Sequence, residues 1–147
     1  MQYSQKNKFA LITGAAGLLG PYHAEALAEE NYNLILLDLD DEKLNFVKKK
    51  LKNKHKNLKF LKYICDIRYT KNVDKIFKDL KKKNIFVSCL VNNAEKNPKM
   101  NEKNIKNILN RIEDYDEKKI ISELEVGVIG SFNCCKVFGS EMAKKKK

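Results

Sequence analysis

Three evenly spaced glycines near the start of the chain restrict its fold more than any other feature of the sequence. They lie in TGAAGLLG (residues 13–20), between the apolar run FALIT and a helical pattern. A strand that leads through a glycine turn into a helix forms an anion site, because the helix start presents free N–H groups and the positive end of its dipole. The bare backbone at Gly14 and Gly17 would admit a pyrophosphate, and Gly20 would allow close packing of helix on strand.

Asp38 is the second constraint on function. It lies eighteen residues after Gly20, near the end of the apolar run NLILLDLD (residues 33–40). A carboxylate at this position accepts hydrogen bonds from the ribose hydroxyls of adenosine and repels a 2′-phosphate, so it favours NAD over NADP. No Lys or Arg follows directly, which supports the same choice. The alternative is that Asp38 only begins a loop.

Apolar strands alternate with helical patterns along the chain, which predicts a parallel sheet with right-handed crossovers. The expected strands cover residues 9–13, 33–40, 58–67 and 85–94, and the expected helices include 18–29, one capped by Asp40, one capped by Thr70, and a long one over 115–143. The prediction is an α/β, Rossmann-like fold with strand order 3-2-1-4, an incomplete doubly wound sheet. Residues 1–147 form one domain, with a polar, exposed insertion over 95–114.

Length and cysteine content narrow the class of protein. A chain of 147 residues is one domain, and no stretch is long and apolar enough to span a bilayer. The first residues lack the apolar core of a secretion signal. The four cysteines, Cys65, Cys89, Cys134 and Cys135, follow no metal-binding spacing and lie in apolar segments. We therefore expect reduced thiols that fill the core of a cytoplasmic protein, and no metal site.

The formal net charge of +11 raises the alternative of a nucleic-acid binder. However, only two of the thirty basic residues are arginines, Arg68 and Arg111. Base readout and bidentate phosphate contacts favour arginine over lysine. We therefore interpret the lysines as a solvated surface, and do not expect nucleic acid or a membrane as partner.

Four motifs together resemble the short-chain dehydrogenases/reductases. TGAAGLLG is similar to the family's cofactor signature in its TGxxGxxG form, and CDI (residues 65–67) matches the place where the family has an Asp near the adenine ring. VNNA (91–94) resembles the family's NNAG, which ends the fourth strand beside the cofactor. Residues 125–142 are similar to the family's long helix. The resemblance implies a nicotinamide cofactor and hydride transfer between that cofactor and an alcohol or carbonyl.

The glycine turn, the ribose carboxylate and the resemblance together define a cofactor site, with NAD expected rather than NADP. The residues assigned to it are Gly14, Ala15, Gly17, Leu18, Leu19, Gly20, Asp38, Asp66, Ile67, Asn92, Asn93 and Ala94. Two positions depart from the family pattern. Glu95 replaces the glycine of NNAG, and Gly127 aligns with the asparagine of the family's catalytic tetrad.

The family's catalytic Ser and Tyr-x-x-x-Lys follow its fifth strand, and this chain ends where that strand would begin. Tyr115 and Lys119 have the Tyr-x-x-x-Lys spacing but precede the long helix, so we interpret the pair as a coincidence. We expect no catalytic residue here, and hence the NAD-binding, C-terminally truncated portion of an oxidoreductase, inactive by itself. The alternative is a non-catalytic nucleotide-binding or interaction module. Either form would associate with a second copy or a complementing chain through the long helix and the open sheet edge.

Overall fold

Four parallel strands form one sheet, and the strand order β3-β2-β1-β4 confirms the predicted topology. The computed structural model describes residues 8–96 and 115–145. The strands are β1 (Phe9–Thr13), β2 (Asn33–Asp38), β3 (Phe60–Ile64) and β4 (Val87–Val91), and the helices that connect them are α1 (Gly20–Glu29), α2 (Asp41–Lys54) and α3 (Thr70–Lys82). The strand order reverses at β1, which pairs with β2 on one side and with β4 on the other.

Helices cover both faces of the sheet, which explains the continuous apolar runs in its central strands. Every residue of β1 is buried. In β2, Leu34 and Leu36 pack with α1 and α2, whereas Ile35 and Leu37 pack on the opposite face with α3 and the C-terminal helix. Alternate side chains therefore belong to two separate cores, and both cores position the same carboxyl ends of the strands.

The C-terminal helix, α4, is continuous and alternates between α and π geometry. Its α-helical parts are Glu117–Leu124, Ser131–Cys134 and Ser140–Lys145, and its π-helical parts are Glu125–Gly130 and Cys135–Gly139. Backbone angles at every junction are right-handed helical, so the helix does not break. Within the described residues, no helix is long and apolar enough to cross a membrane.

One side of α4 packs on the sheet and another is exposed. Gly130, Cys134 and Phe138 are buried at helical spacing. On another side of the helix, the apolar side chains of Val128 and Phe132 are 56% and 61% exposed. The apolar pattern of this helix therefore has two sides, of which only one belongs to the core.

The four cysteine thiols also differ in burial. Cys65 and Cys134 are buried, and burial raises their pKa values to about 11 and about 12. Cys89 is half-buried, but Cys135 is exposed, so the expectation of core packing is wrong for Cys135. All four thiols are free in the structure.

The element boundaries differ from the sequence prediction mainly at the carboxyl ends of strands. β3 ends at Ile64 and β4 at Val91, each three residues before the end of the predicted strand. Asp40 caps α2 as predicted and accepts a hydrogen bond from the Lys43 backbone N–H. The insertion expected over 95–114 lies outside the described residues, apart from its first two positions.

The expected cap at Thr70 is wrong. Thr70 is the first residue of α3, and Tyr69 occupies the N-cap position without a side-chain hydrogen bond. The Thr70 hydroxyl instead donates to Asn133 Oδ1 in α4, at 2.8 Å. Asn133 Nδ2 donates to the carbonyls of Ile67 and Arg68, each at 3.0 Å. A single buried amide therefore fixes α4 to the loop between β3 and α3.

Replacing Asn133 with Ala is expected to destabilise the protein by about 2–4 kcal/mol, because the hydroxyl and both carbonyls would lose their partner. The free energy of unfolding from urea titration measures the loss. Asn45→Ala is the matched control, since Asn45 is exposed and bonds only within α2; its effect should stay within about 0.5 kcal/mol. Equal effects of the two substitutions would contradict the assigned role of Asn133.

Candidate functional site

Two of the three glycines in the turn between β1 and α1 are required by sterics. Gly14 has a φ of +62°, and a Cβ there would lie 2.8 Å from Ala94 Cα. A Cβ on Gly20 would lie 2.4 Å from the Gly14 carbonyl oxygen. The contact at Gly20 is thus with the turn itself, whereas the sequence predicted a contact with the strand. Both positions exclude any side chain.

The turn presents unpaired backbone donors at the start of α1. In the described part of the chain, the N–H groups of Leu18, Leu19 and Gly20 have no hydrogen-bond acceptor. No side chain caps the helix, and Pro21 follows in its first turn. The Leu18 side chain is 87% exposed, so the surface of the turn is open. Three successive free donors at the positive end of a helix dipole form a binding site for an anion.

Thr13 and Asn93 attach the end of β4 to this turn. The buried Thr13 hydroxyl accepts hydrogen bonds from the N–H groups of Asn93 and Ala94, each at 3.0 Å. Asn93 Nδ2 donates to the carbonyls of Thr13 and Gly14 at 3.1 and 3.0 Å. Sequence reasoning missed Thr13, although its place directly before the first glycine was a usable signal.

Asp38 faces the glycine turn, as the ribose hypothesis requires. Its Oδ2 accepts from the Ala16 N–H at 2.9 Å, and its Oδ1 accepts from the N–H groups of Leu39 and Asp40 at 2.8 and 3.2 Å. An ionised carboxylate accepts about four hydrogen bonds. Oδ2 therefore retains capacity for a donor on the ligand, while three backbone bonds fix the orientation of the group.

Asp66 lies near the start of the loop after β3, where Arg68 holds its carboxylate. Arg68 Nε donates to both Asp66 oxygens at 3.0 and 3.1 Å, and Nη2 donates to Oδ2 at 2.6 Å. These hydrogen bonds hold the pKa of Asp66 below its usual value. Nη1 of the same guanidinium lies 3.6 Å from Glu125 in α4. Asp66 is therefore an anchored anion, and sequence reasoning had not identified Arg68 as its partner.

Ile67 lies below the surface of the candidate site. The side chain is buried, and a Cβ on Gly130 would lie 2.5 Å from Ile67 Cδ1. Only a glycine at position 130 lets α4 approach the loop this closely. Ile67 and Gly130 together set the distance between the loop and the helix.

A groove of about 410 Å³ separates the end of β4 from α4. Its lining includes Asn92, Ala94 and Glu95 on one side and Glu123, Gly127 and Val128 on the other. Asn92 Nδ2 also donates to the exposed Cys135 sulfur at 3.2 Å. Position 127 is open, since the nearest atom to a Cβ built there is Glu95 Cγ at 4.0 Å. The two departures from the family pattern thus face each other across the groove.

Tyr115 does not form a catalytic pair with Lys119. The Tyr115 hydroxyl donates to the Glu123 carboxylate, with 3.0 Å to each oxygen, and the Lys119 ammonium lies over the Tyr115 ring. Partial desolvation and the Glu123 carboxylate raise the pKa of Tyr115, opposite to what a general base requires. Among residues 8–96 and 115–145, no three His, Cys, Asp or Glu residues converge as a metal site.

Comparison with known proteins extends over nearly the whole chain. A family model described as short chain dehydrogenase matches residues 8–147. The short chain dehydrogenase helC of Aspergillus fumigatus is 35% identical over 85 residues, which is 58% of this chain and 33% of that protein. The very-long-chain 3-oxoacyl-CoA reductase of Coccidioides immitis is 29% identical over 94 residues, which is 63% of this chain and 26% of that protein.

Solved structures share the fold. L-sorbose reductase from Gluconobacter frateurii, complexed with NADPH and L-sorbose, superposes with a TM-score of 0.78 at 21% identity, over 99% of this chain and 51% of that one. An NAD⁺-bound xylitol dehydrogenase gives 0.79 at 24% identity, over 97% and 51%. The chain spans about half the length of these structures. Similar folds therefore bind either form of the nicotinamide dinucleotide.

Gly20→Ala is expected to destabilise the protein by about 1–3 kcal/mol, because the new methyl group would overlap the backbone of Gly14 and Ala15. Gly139→Ala is the control, and it is expected to change the free energy of unfolding in the opposite direction. Nothing lies within 4 Å of a Cβ at this helical position, so alanine should stabilise by up to about 1 kcal/mol. Thermal and urea unfolding measure both changes. A neutral Gly20→Ala would contradict the steric account of the turn.

Proposed function

The chain belongs to the short-chain dehydrogenases, and from this premise we propose that it forms the NAD-binding portion of an oxidoreductase. In the complete enzyme, hydride would move between nicotinamide and an alcohol or carbonyl. The observation that carries the proposal is the row of free N–H groups at Leu18, Leu19 and Gly20, with the Asp38 carboxylate beside it. Together they supply donors for a diphosphate and an acceptor for a ribose hydroxyl.

The proposed arrangement lies at the carboxyl end of the sheet and extends to both sides of β1. The diphosphate would bind over Gly14, Ala15, Gly17 and the three free N–H groups. The adenosine would lie on the β2–β3 side, with Asp38 at the ribose and Asp66 and Ile67 near the adenine. Asn92, Asn93 and Ala94 would border the nicotinamide half. Hydride acceptance and donation are the chemistry of the nicotinamide, and the chain's own residues bind and orient it.

NAD is the proposed cofactor rather than NADP. A 2′-phosphate would approach the Asp38 carboxylate, whereas the carboxylates of Asp40 and Asp41, beyond Leu39, are already paired with Lys43 and Lys62. Oδ1 of Asp38 is fixed by two backbone N–H groups, so the carboxylate cannot turn away without breaking them. Like charges at such short range disfavour the phosphorylated cofactor.

Calorimetric titration with NAD and NADP tests the cofactor proposal. The unaltered chain should bind NAD at least about tenfold more tightly, and Asp38→Asn should reduce this preference severalfold because it removes the repelling charge. Glu42→Gln, which removes one exposed negative charge from the first turn of α2, should leave the preference unchanged. Equal or tighter binding of NADP by the unaltered chain would overturn the assignment.

The 147-residue polypeptide alone is proposed to bind the dinucleotide without turning it over. Reduction of a carbonyl needs a proton donor at its oxygen, and in this family a Tyr activated by Lys supplies that proton. The single Tyr-x-x-x-Lys spacing here, at Tyr115 and Lys119, has its hydroxyl engaged with Glu123. Association with another chain would then complete an enzyme. Without such a chain, the protein would act as a nucleotide-binding module.

NADH formation in the presence of NAD and a panel of alcohols tests this second proposal. The expected rate equals the rate without protein, while calorimetry on the same sample shows NAD bound. Tyr115→Phe should leave both results unchanged. Turnover by the purified polypeptide that disappears in Tyr115→Phe would contradict the proposal and identify Tyr115 as the proton donor.

We further propose that the protein associates with a second copy or with a complementing chain. Ile121, Leu124, Val128 and Phe132 form an apolar stripe along α4, and each is more than half exposed. Within the described residues, β4 pairs with a strand on one side only. The four free thiols support a reducing compartment, the cytoplasm, as the location.

A further inference from the structure

The strand order directs the base of the bound nucleoside toward the loop after β3, provided that the proposed function holds. Asp38 ends β2 and faces the glycine turn, and β3 is the next strand outward from β2. The Cys65 N–H donates to the Asp38 carbonyl at 3.0 Å, so the loop after β3 begins beside Asp38. A nucleoside whose ribose is bound by Asp38 therefore extends its base toward this loop, which carries Asp66 and Arg68.

The Asp66 carboxylate is occupied on both of its oxygens by a single residue. Oδ1 accepts from the Arg68 backbone N–H at 3.1 Å and from Arg68 Nε at 3.0 Å. Oδ2 accepts from Nε at 3.1 Å and from Nη2 at 2.6 Å. Each oxygen thus contacts two N–H groups, one of them shared, and an ionised carboxylate offers about two acceptor positions on each oxygen. An amino group on a bound base therefore meets no open acceptor position at Asp66.

Three contacts hold the Arg68 guanidinium in this position. It donates to Asp66 in a forked arrangement, it lies over the Tyr69 ring at 5.5 Å from the centroid, and Nη1 lies 3.6 Å from Glu125. Forked hydrogen bonds between two charged groups are stronger than those that a neutral amino group makes, so exchanging one for the other is unfavourable. The Arg68 side chain is 32% exposed and that of Asp66 only 20%, so the guanidinium shields the carboxylate from the ligand.

Adenine carries an amino group at its 6-position, and this group donates hydrogen bonds. An open carboxylate beside it would favour adenine over a purine that lacks the amino group. The guanidinium beside it has only donors and accepts nothing from it. We propose that Arg68 is a specificity-determining residue that removes the 6-amino group from recognition, so that the site binds dinucleotides with and without this group equally well. Asp66 then anchors Arg68 and makes no hydrogen bond to the base.

Calorimetric titration of the 147-residue chain with two ligands tests the inference. One is NAD, and the other is the NAD analogue in which unsubstituted purine replaces adenine, so that only the 6-amino group is missing. The two dissociation constants should agree within about threefold for the unaltered chain. In Arg68→Met, NAD should bind about tenfold more tightly than the analogue, because Asp66 Oδ2 then loses both of its N–H donors and accepts from the amino group.

The control is Lys52→Met, which removes one positive charge from the exposed last turn of α2 and should leave the ratio of the two affinities unchanged. Affinity of Arg68→Met for the purine analogue within about threefold of that of the unaltered chain shows that the variant is folded. A purely structural role of Arg68 would lower both affinities together and would not change their ratio.

The outcomes separate this inference from the proposed function. If the unaltered chain binds neither ligand, the proposed function itself fails. If the unaltered chain binds NAD more than about threefold more tightly than the analogue, the proposed function stands and the inference is overturned, whether or not Arg68→Met folds. An unchanged ratio in a folded Arg68→Met, or an equal change in Lys52→Met, would also overturn it.

Discussion

The close approach of the β4 end to the glycine turn is the constraint on which the site depends. Thr13 and Asn93 exchange hydrogen bonds between neighbouring parallel strands just beyond their last ladder bonds. The approach is possible only because Gly14 has no side chain and adopts a left-handed φ. This one contact fixes the turn that presents the free N–H groups and, on its other side, the strand end that borders the groove.

Some parts of the candidate site were predictable from sequence because one residue type is needed there for one local physical reason. Glycines in a strand-to-helix turn and a carboxylate at the end of the next strand indicate a dinucleotide site without any knowledge of packing. The strand order follows equally from apolar runs that alternate with helices. Asp40 was predictable as a cap because the cap bond is local.

The features that sequence reasoning missed depend on residues distant in the chain. Threonine is a residue type that commonly caps helices, yet the Thr70 hydroxyl donates to Asn133, sixty-three positions away. Arg68 would pass for one more surface cation, but it holds Asp66 and approaches Glu125. Helical spacing of apolar residues in α4 does not indicate which side faces the sheet, because apolar residues occur on both sides and only tertiary packing distinguishes them.

The interlock between Ile67 and Gly130 has a mechanical consequence. The groove wall at Gly127, the hydrogen-bonded Asn133 and the exposed apolar stripe all belong to the one helix α4. The distance of this helix from the sheet is set by the contact of Gly130, which has no Cβ, with Ile67 Cδ1. A single methyl group at position 130 would push α4 away from the sheet. The groove wall at Gly127 and the hydrogen bonds of Asn133 would then shift together, even though the atoms nearest to a Cβ at position 130 belong to the buried Ile67.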